Sequence, residues 1–200
     1  MLEADPLLLL PSRITPRKNI ELGLEVVAHM RRNGRPAALI VTGPVDPHDP
    51  GQQAHLTRLL ALRRELGLED AAWFLSAEGG ELLPDRVMTD LYRIADALFL
   101  PSRDEGFGLP ILEAALHRLP IICTDLPVLR ELAGDAATYL DPGADARQAA
   151  TVVLERLAAD AAGVLSRLVR REHAWPVVYR RAIRPLLAEV TSARQAAADG

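Results

Sequence analysis

The stretch Asp104-Glu105-Gly106-Phe107-Gly108-Leu109-Pro110-Ile111-Leu112-Glu113 decides how the rest of the chain is read, and it follows an apolar run that stops at Pro101-Ser102. Proline suits the first turn of a helix, where its missing N–H would have no acceptor anyway. Pro110 therefore predicts a helix from Leu109 onward, preceded by a glycine-rich loop. Glycines at 106 and 108 let backbone N–H groups come close to a ligand, and the helix dipole adds partial positive charge. A phosphate would be welcome at such a mouth. Glu105 and Glu113 would repel a phosphate but accept hydrogen bonds from hydroxyls, which a sugar or a ribose offers. Phosphate and sugar recognised in one place suggest a sugar nucleotide.

Working outward, the chain alternates short apolar runs with amphipathic segments. Leu7-Leu8-Leu9-Leu10, stopped by Pro11-Ser12, reads as a strand buried on both faces of a parallel sheet. Arg13-Ile14-Thr15-Pro16-Arg17-Lys18-Asn19 is a basic turn, with Asn19 expected to cap a helix carrying Ile20, Leu24, Val27 and Met30 at helical spacing and closing at Asn33-Gly34. Ala37 to Val41 is a second strand ending in Thr42-Gly43-Pro44, and Asp46 to Gly51 is expected to be irregular. A helix from about Leu56 to Leu66, a strand from Ala72 to Leu75, a loop from Ser76 to Pro84, a helix from Asp85 to Ala95 and a strand from Ala97 to Leu100 lead into the opening motif.

Beyond it, Ile121-Ile122-Cys123 and Thr138-Tyr139-Leu140 are further strands, with a short helix over Leu129 to Leu132 between them. Ala146 to Leu157 and Gly163 to about Val190 read as helical, broken near Pro176 and Pro185. Residues 193–200 read as a tail, so that residues 1–192 form one domain. Roughly six short strands alternating with helices predict an α/β, Rossmann-like, doubly wound parallel sheet with C-terminal helices. Ligands in such sheets bind at the carboxyl ends of the strands, and both the basic turn and the glutamate pair directly follow strands.

Composition narrows the function. A net charge of −4 leaves no basic excess to neutralise a nucleic-acid backbone, so no nucleic-acid partner is expected. The single cysteine, Cys123, allows no internal disulfide and no cysteine zinc site, and in an apolar strand it reads as a small buried hydrophobe; it fits a cytoplasmic setting. No apolar run reaches the ~20 residues of a membrane helix. Leu7 to Leu10 is too short, and lacks the basic leader, for a signal peptide. Without clustered metal-ligand spacing, no metal or other cofactor is expected.

The string Pro101-Ser102-x-x-Glu105-Gly106-Phe107-Gly108-Leu109-Pro110-x-x-Glu113-Ala114, with Arg13-x4-Lys18-Asn19 upstream and Glu131, Gly134-Asp135 and Asp141-Pro142 downstream, resembles the C-terminal domain of retaining GT-B glycosyltransferases of family 4. The resemblance covers nearly the whole chain. It implies one half of a GT-B fold, the half that binds an NDP-sugar, with the acceptor held by a separate N-terminal domain missing from these residues. Any membrane association is then expected only through that missing half.

Carried over residue by residue, Arg13 and Lys18 match the basic pair on the donor diphosphate, Glu105 the carboxylate on the donor sugar, and Glu113 the one on the ribose. Arg13, Lys18 and Glu105 are the catalytic candidates. Gly43, Gly106, Phe107, Gly108, Leu109 and Glu113 are the donor-binding candidates. Two departures stand out: Arg118 where the family often closes the helix with glycine, and Leu126-Pro127 where it often has a glycine pair.

The resemblance implies hexosyl transfer with retention, and poor transfer by this half alone. Two other readings compete: a non-catalytic binding or assembly module that keeps the fold, and another GT-B activity such as an epimerase or phosphorylase. Trp175, Tyr179, Ile183 and Leu186 form a helical stripe that is either core or the face offered to the missing domain, and the assembly-module reading expects changes on that helix to abolish function. His48 and His117 are expected to serve surface or packing roles, Arg17 to be solvated, and Glu131 either to touch the donor or to begin a helix.

Overall fold

The computed structural model describes residues 3–46, 48–76, 83–170 and 179–185. Six parallel strands form one sheet: β1 (Leu7–Leu10), β2 (Ala38–Val41), β3 (Ala72–Phe74), β4 (Ala97–Leu100), β5 (Ile121–Thr124) and β6 (Ala137–Leu140). The helices are α1 (Ile20–Arg32), α2 (Pro50–Glu65), α3 (Asp85–Ile94), α4 (Leu109–Leu116), α5 (Pro127–Ala133), α6 (Ala146–Ala158) and α7 (Ala161–Leu168). The expected α/β, doubly wound architecture is therefore present.

Four consecutive leucines form β1 because both faces of the sheet are covered. Leu8 and Leu10 point into one core with Leu39, Val41, Phe99 and residues of α1 and α6. Leu7 and Leu9 point into the other with Ile40, Leu98, Leu100 and residues of α3, α4 and α5. The period-2 geometry of a strand thus turns an unbroken apolar run into two half-cores.

The strand order is β3-β2-β1-β4-β5-β6, so β1 lies between β2 and β4, with Leu9 opposite Ile40 on one side and Leu98 on the other. The chain winds outward from β1 in one direction, then returns to β4 and winds in the other. The winding thus reverses between β1 and β4, and the loops that leave the carboxyl ends of these two strands lie side by side at this switch point, where ligands of such sheets bind.

Two local expectations need correction. The segment from Asp46 to Gly51 is not irregular throughout, because α2 already begins at Pro50, and the Asp49 side chain accepts hydrogen bonds from the Gly51 and Gln52 N–H groups. Proline and glycine here occupy a first helical turn, where the missing N–H of proline is harmless. Asn19 precedes α1, but its side chain makes no capping hydrogen bond; it sits at φ 50° and its N–H donates to Pro16 O, ending a short 3-10 turn over Pro16–Lys18. The backbone there is spent on that turn.

Past α7, Tyr179–Ile183 forms one turn of π-helix, with Tyr179 exposed and Arg180 paired to Glu3 at 3.3 Å. Most of the expected loop from Ser76 to Pro84, along with Trp175, Pro176, Leu186 and the tail over 193–200, lies outside the described residues, and so does the domain boundary at 192.

At the amino edge of the sheet the buried Asp96 accepts from Leu7 N–H at 2.7 Å and from Arg170 at 2.6 Å, tying the chain beyond α7 to the strand starts. Burial pushes the Asp96 carboxyl above its ordinary range even though both donors favour its charge.

Candidate functional site

The carboxyl edge gathers the loops that follow β1, β2, β3 and β4. They are laced together by the backbone: Ile14 N–H donates to Pro44 O at 3.5 Å and Arg103 N–H to Arg17 O at 2.7 Å, while Ser76 Oγ donates to Thr42 O at 2.6 Å. Gly43 is what allows the β1 and β2 loops to close up, since a Cβ built there would lie 1.7 Å from Ser12 O. Any side chain at position 43 would push the Arg13 turn away.

Lys18 and Glu105, 87 residues apart in sequence, form an ion pair with Nζ–Oε1 of 2.6 Å, and their side chains are only 10% and 5% exposed. Ser102 Oγ donates to the same Oε1 at 2.7 Å. Glu105 is thus held by one neighbour from its own loop and one from the β1 loop. Lys18 keeps two further N–H donors for another acceptor. Arg17, expected to be solvated, is half exposed and sits 3.6 Å from Asp104.

Arg13, Gly43 and Glu113 line one cavity of about 260 Å³, together with Ser12, Pro44 and Ser76. Among the described residues the exposed Arg13 guanidinium has no partner. Ser12 is buried and its Oγ has no hydrogen-bond partner, as is also true of Thr15 Oγ1 in the same turn. Buried polar atoms left without partners are uncommon and collect where a ligand or solvent completes the set.

The glycine-rich loop divides its work. Gly108 is the residue before α4 and has φ +89°; a Cβ there would meet Leu129 Cδ2 at 2.8 Å and Leu132 Cδ2 at 3.2 Å. Its freedom is therefore used to fold the loop against α5. Gly106 has open space around it, and Phe107 and Leu109 are more than half exposed. The start of α4 has no side-chain cap for its first N–H groups.

Sequence reasoning missed the partner of Glu113. Tyr92 OH, on α3, donates to Glu113 Oε2 at 2.6 Å, and the Tyr92 ring stacks on His117 with centroids 5.4 Å apart and planes at 7°. Burial, reinforced by the Glu113 carboxylate, pushes the Tyr92 phenol far above its ordinary value, so it stays a donor. Tyr92 belongs to the same amphipathic helix that Val87, Leu91 and Ile94 revealed, and that periodicity was its only signal. Glu131, on α5, is exposed. Cys123 is fully buried, and burial raises its thiol to about 12, consistent with a packing role. Among the described residues no three His, Cys, Asp or Glu side chains are placed to hold a metal ion, and no helix is long and apolar enough to cross a membrane.

The family profile described as glycosyl transferases group 1 matches residues 2–161. The chain belongs to this family. A D-inositol 3-phosphate glycosyltransferase from Saccharomonospora viridis is 31% identical over 179 residues, covering 88% of this chain and 40% of that one. Among solved structures, the C-terminal domain of a glycosyl transferase group 1 family protein from Francisella tularensis is 21% identical with a TM-score of 0.64, covering 89% of this chain and 86% of that one. An Anabaena protein solved with UDP and glucose is 20% identical with a TM-score of 0.65, covering 96% of this chain and 49% of that one.

This glycosyl transferases group 1 chain therefore has the fold of one half of the GT-B enzymes, and it spans less than half the length of the full-length relatives it matches. The resemblance carried by Arg13, Lys18, Glu105 and Glu113 falls within the matched residues.

Proposed function

We propose that this chain is the donor-binding half of a retaining glycosyltransferase, taking an NDP-sugar at the carboxyl edge of the sheet, where the β1, β2 and β4 loops meet the start of α4, and needing a separate acceptor-binding half to transfer the hexosyl group. The observation that carries the reading is the convergence of Arg13, Lys18, Glu105 and Glu113 at the switch point of the sheet, with the uncapped start of α4 beside them.

Breaking the anomeric C–O bond of an NDP-sugar leaves the bonding electrons, and growing negative charge, on the diphosphate. Arg13 offers a planar fork and Lys18 a point charge for that leaving group, and the helix dipole adds a third positive element. Such fixed charges count most when they strengthen in the transition state. Lys18 can serve the diphosphate without leaving Glu105, because one N–H is spent on the carboxylate and two remain. Glu105 Oε2 is then available to sugar hydroxyls. Phosphate departure on the face the acceptor enters would let it take the acceptor proton, giving retention. No residue of this chain is assigned to bind the acceptor, which belongs to the missing half, as does any attachment to a membrane.

Calorimetric titration with UDP, GDP, ADP and their common sugar conjugates tests the proposal. Micromolar to submillimolar binding of at least one, lost in Arg13→Ala, supports it. A folded chain that binds none of them rules it out.

A further inference from the structure

Resting on the reading of Glu113 as the ribose contact, we propose that Tyr92 is a positioning residue for the donor: its hydroxyl holds one oxygen of Glu113, so that the other is presented to the hydroxyls of a ribonucleoside diphosphate. Glu113 is an exposed side chain on a helix, with several rotamers available to it, and an unrestrained carboxylate would lose that freedom on binding. The 2.6 Å bond from Tyr92 OH fixes Oε2 beforehand and leaves Oε1 open. The Tyr92 ring is itself held, being 3% exposed and stacked on His117.

Two cavities meet at this carboxylate. One, of about 260 Å³, contains Ser12, Arg13 and Gly43; the other, of about 240 Å³, contains Asp85, Thr89, Tyr92 and His117, and Met88 lines both. Glu113 is thus a post between the diphosphate side and a second compartment, and Tyr92 sets the direction in which that post leans. Preorganisation of this kind lowers the entropy cost of binding without adding a contact.

The test titrates Tyr92→Phe, Glu113→Ala and the double variant with whichever of UDP, GDP and ADP the wild-type chain binds most tightly, and with the 2′,3′-dideoxy form of the same nucleotide. Thermal melts confirm that each variant is folded; Phe keeps the buried ring and its stack on His117. Tyr92→Phe is expected to weaken the ribonucleotide about tenfold, leave the dideoxy nucleotide within about twofold, and cause no further loss in Glu113→Ala. Equal weakening of both nucleotides, or an additional loss in the Glu113→Ala background, overturns the role of Tyr92 and leaves nucleotide binding standing. A wild-type chain that binds none of UDP, GDP and ADP removes the donor reading itself, and the inference with it.

Discussion

Replacing Lys18 by methionine removes the partner of a carboxylate that has almost no access to water. Glu105 is 5% exposed, its Oε1 lies 2.6 Å from Lys18 Nζ, and among the described residues its only other hydrogen bond comes from Ser102 Oγ at 2.7 Å, on the same oxygen. Methionine keeps the apolar stem but leaves the carboxylate with one neutral donor. Breaking a buried pair from one side costs about 3–5 kcal/mol, a large part of the 5–15 kcal/mol typical of a domain.

The double variant Lys18→Met/Glu105→Gln removes the stranded charge and is expected to recover about 2 kcal/mol or more of that loss. Urea unfolding followed by tryptophan fluorescence, with the two single variants and the double, gives the cycle directly, and an unchanged m-value confirms that the midpoint shift reports stability. A loss below about 1 kcal/mol in Lys18→Met, or a double variant as unstable as the two single losses added together, would refute a tightly coupled pair.

Other consequences can be checked in the same way. Gly108→Ala must adopt φ +89° and press a methyl group against Leu129, so it should cost about 2–4 kcal/mol in urea unfolding. Arg13→Ala should leave stability within about 0.5 kcal/mol, since Arg13 is exposed, yet weaken nucleoside diphosphate binding tenfold to about a hundredfold by calorimetry. His55 is buried beside Glu21, with Nδ1 3.8 Å from Glu21 Oε1 and its Nε2 unpartnered. Burial lowers its pKa; Glu21 opposes this, and Arg58 and Arg103 add to it. The unfolded chain therefore binds the proton more readily, so this contribution to stability is present above about pH 6.5 and is lost as pH falls toward the lower folded value. His55→Gln should flatten that part of the stability–pH curve, where one such group contributes at most about 1.4 kcal/mol per pH unit.

The strands were legible because a sheet buried on both faces writes itself as continuous apolar runs, and Leu7 to Leu10 could hardly be anything else. Their order was not legible, because parallel pairing depends on crossovers: nothing local announces that Leu9 lies opposite Leu98. Breaker residues misled at Pro50-Gly51, where the Asp49 cap turns them into a helix start.

Arg13, Lys18, Glu105 and Glu113 were individually visible through motif and position. What sequence could not convey was who holds whom. Lys18 and Glu105 were given separate tasks yet form one pair, and Tyr92 reaches Glu113 from a different helix. Gly108 was read for its approach to a ligand, whereas its φ and its contacts with Leu129 and Leu132 show that the loop's own packing requires glycine.

A crystal structure of the chain with its tightest-binding NDP-sugar shows whether the carboxyl edge, where the β1, β2 and β4 loops meet the start of α4, is the sugar-nucleotide site. The diphosphate is expected between Arg13, Lys18 and the start of α4, the ribose against Glu113 and the sugar against Glu105. A nucleotide bound anywhere else on the molecule, with these four side chains untouched, would contradict it.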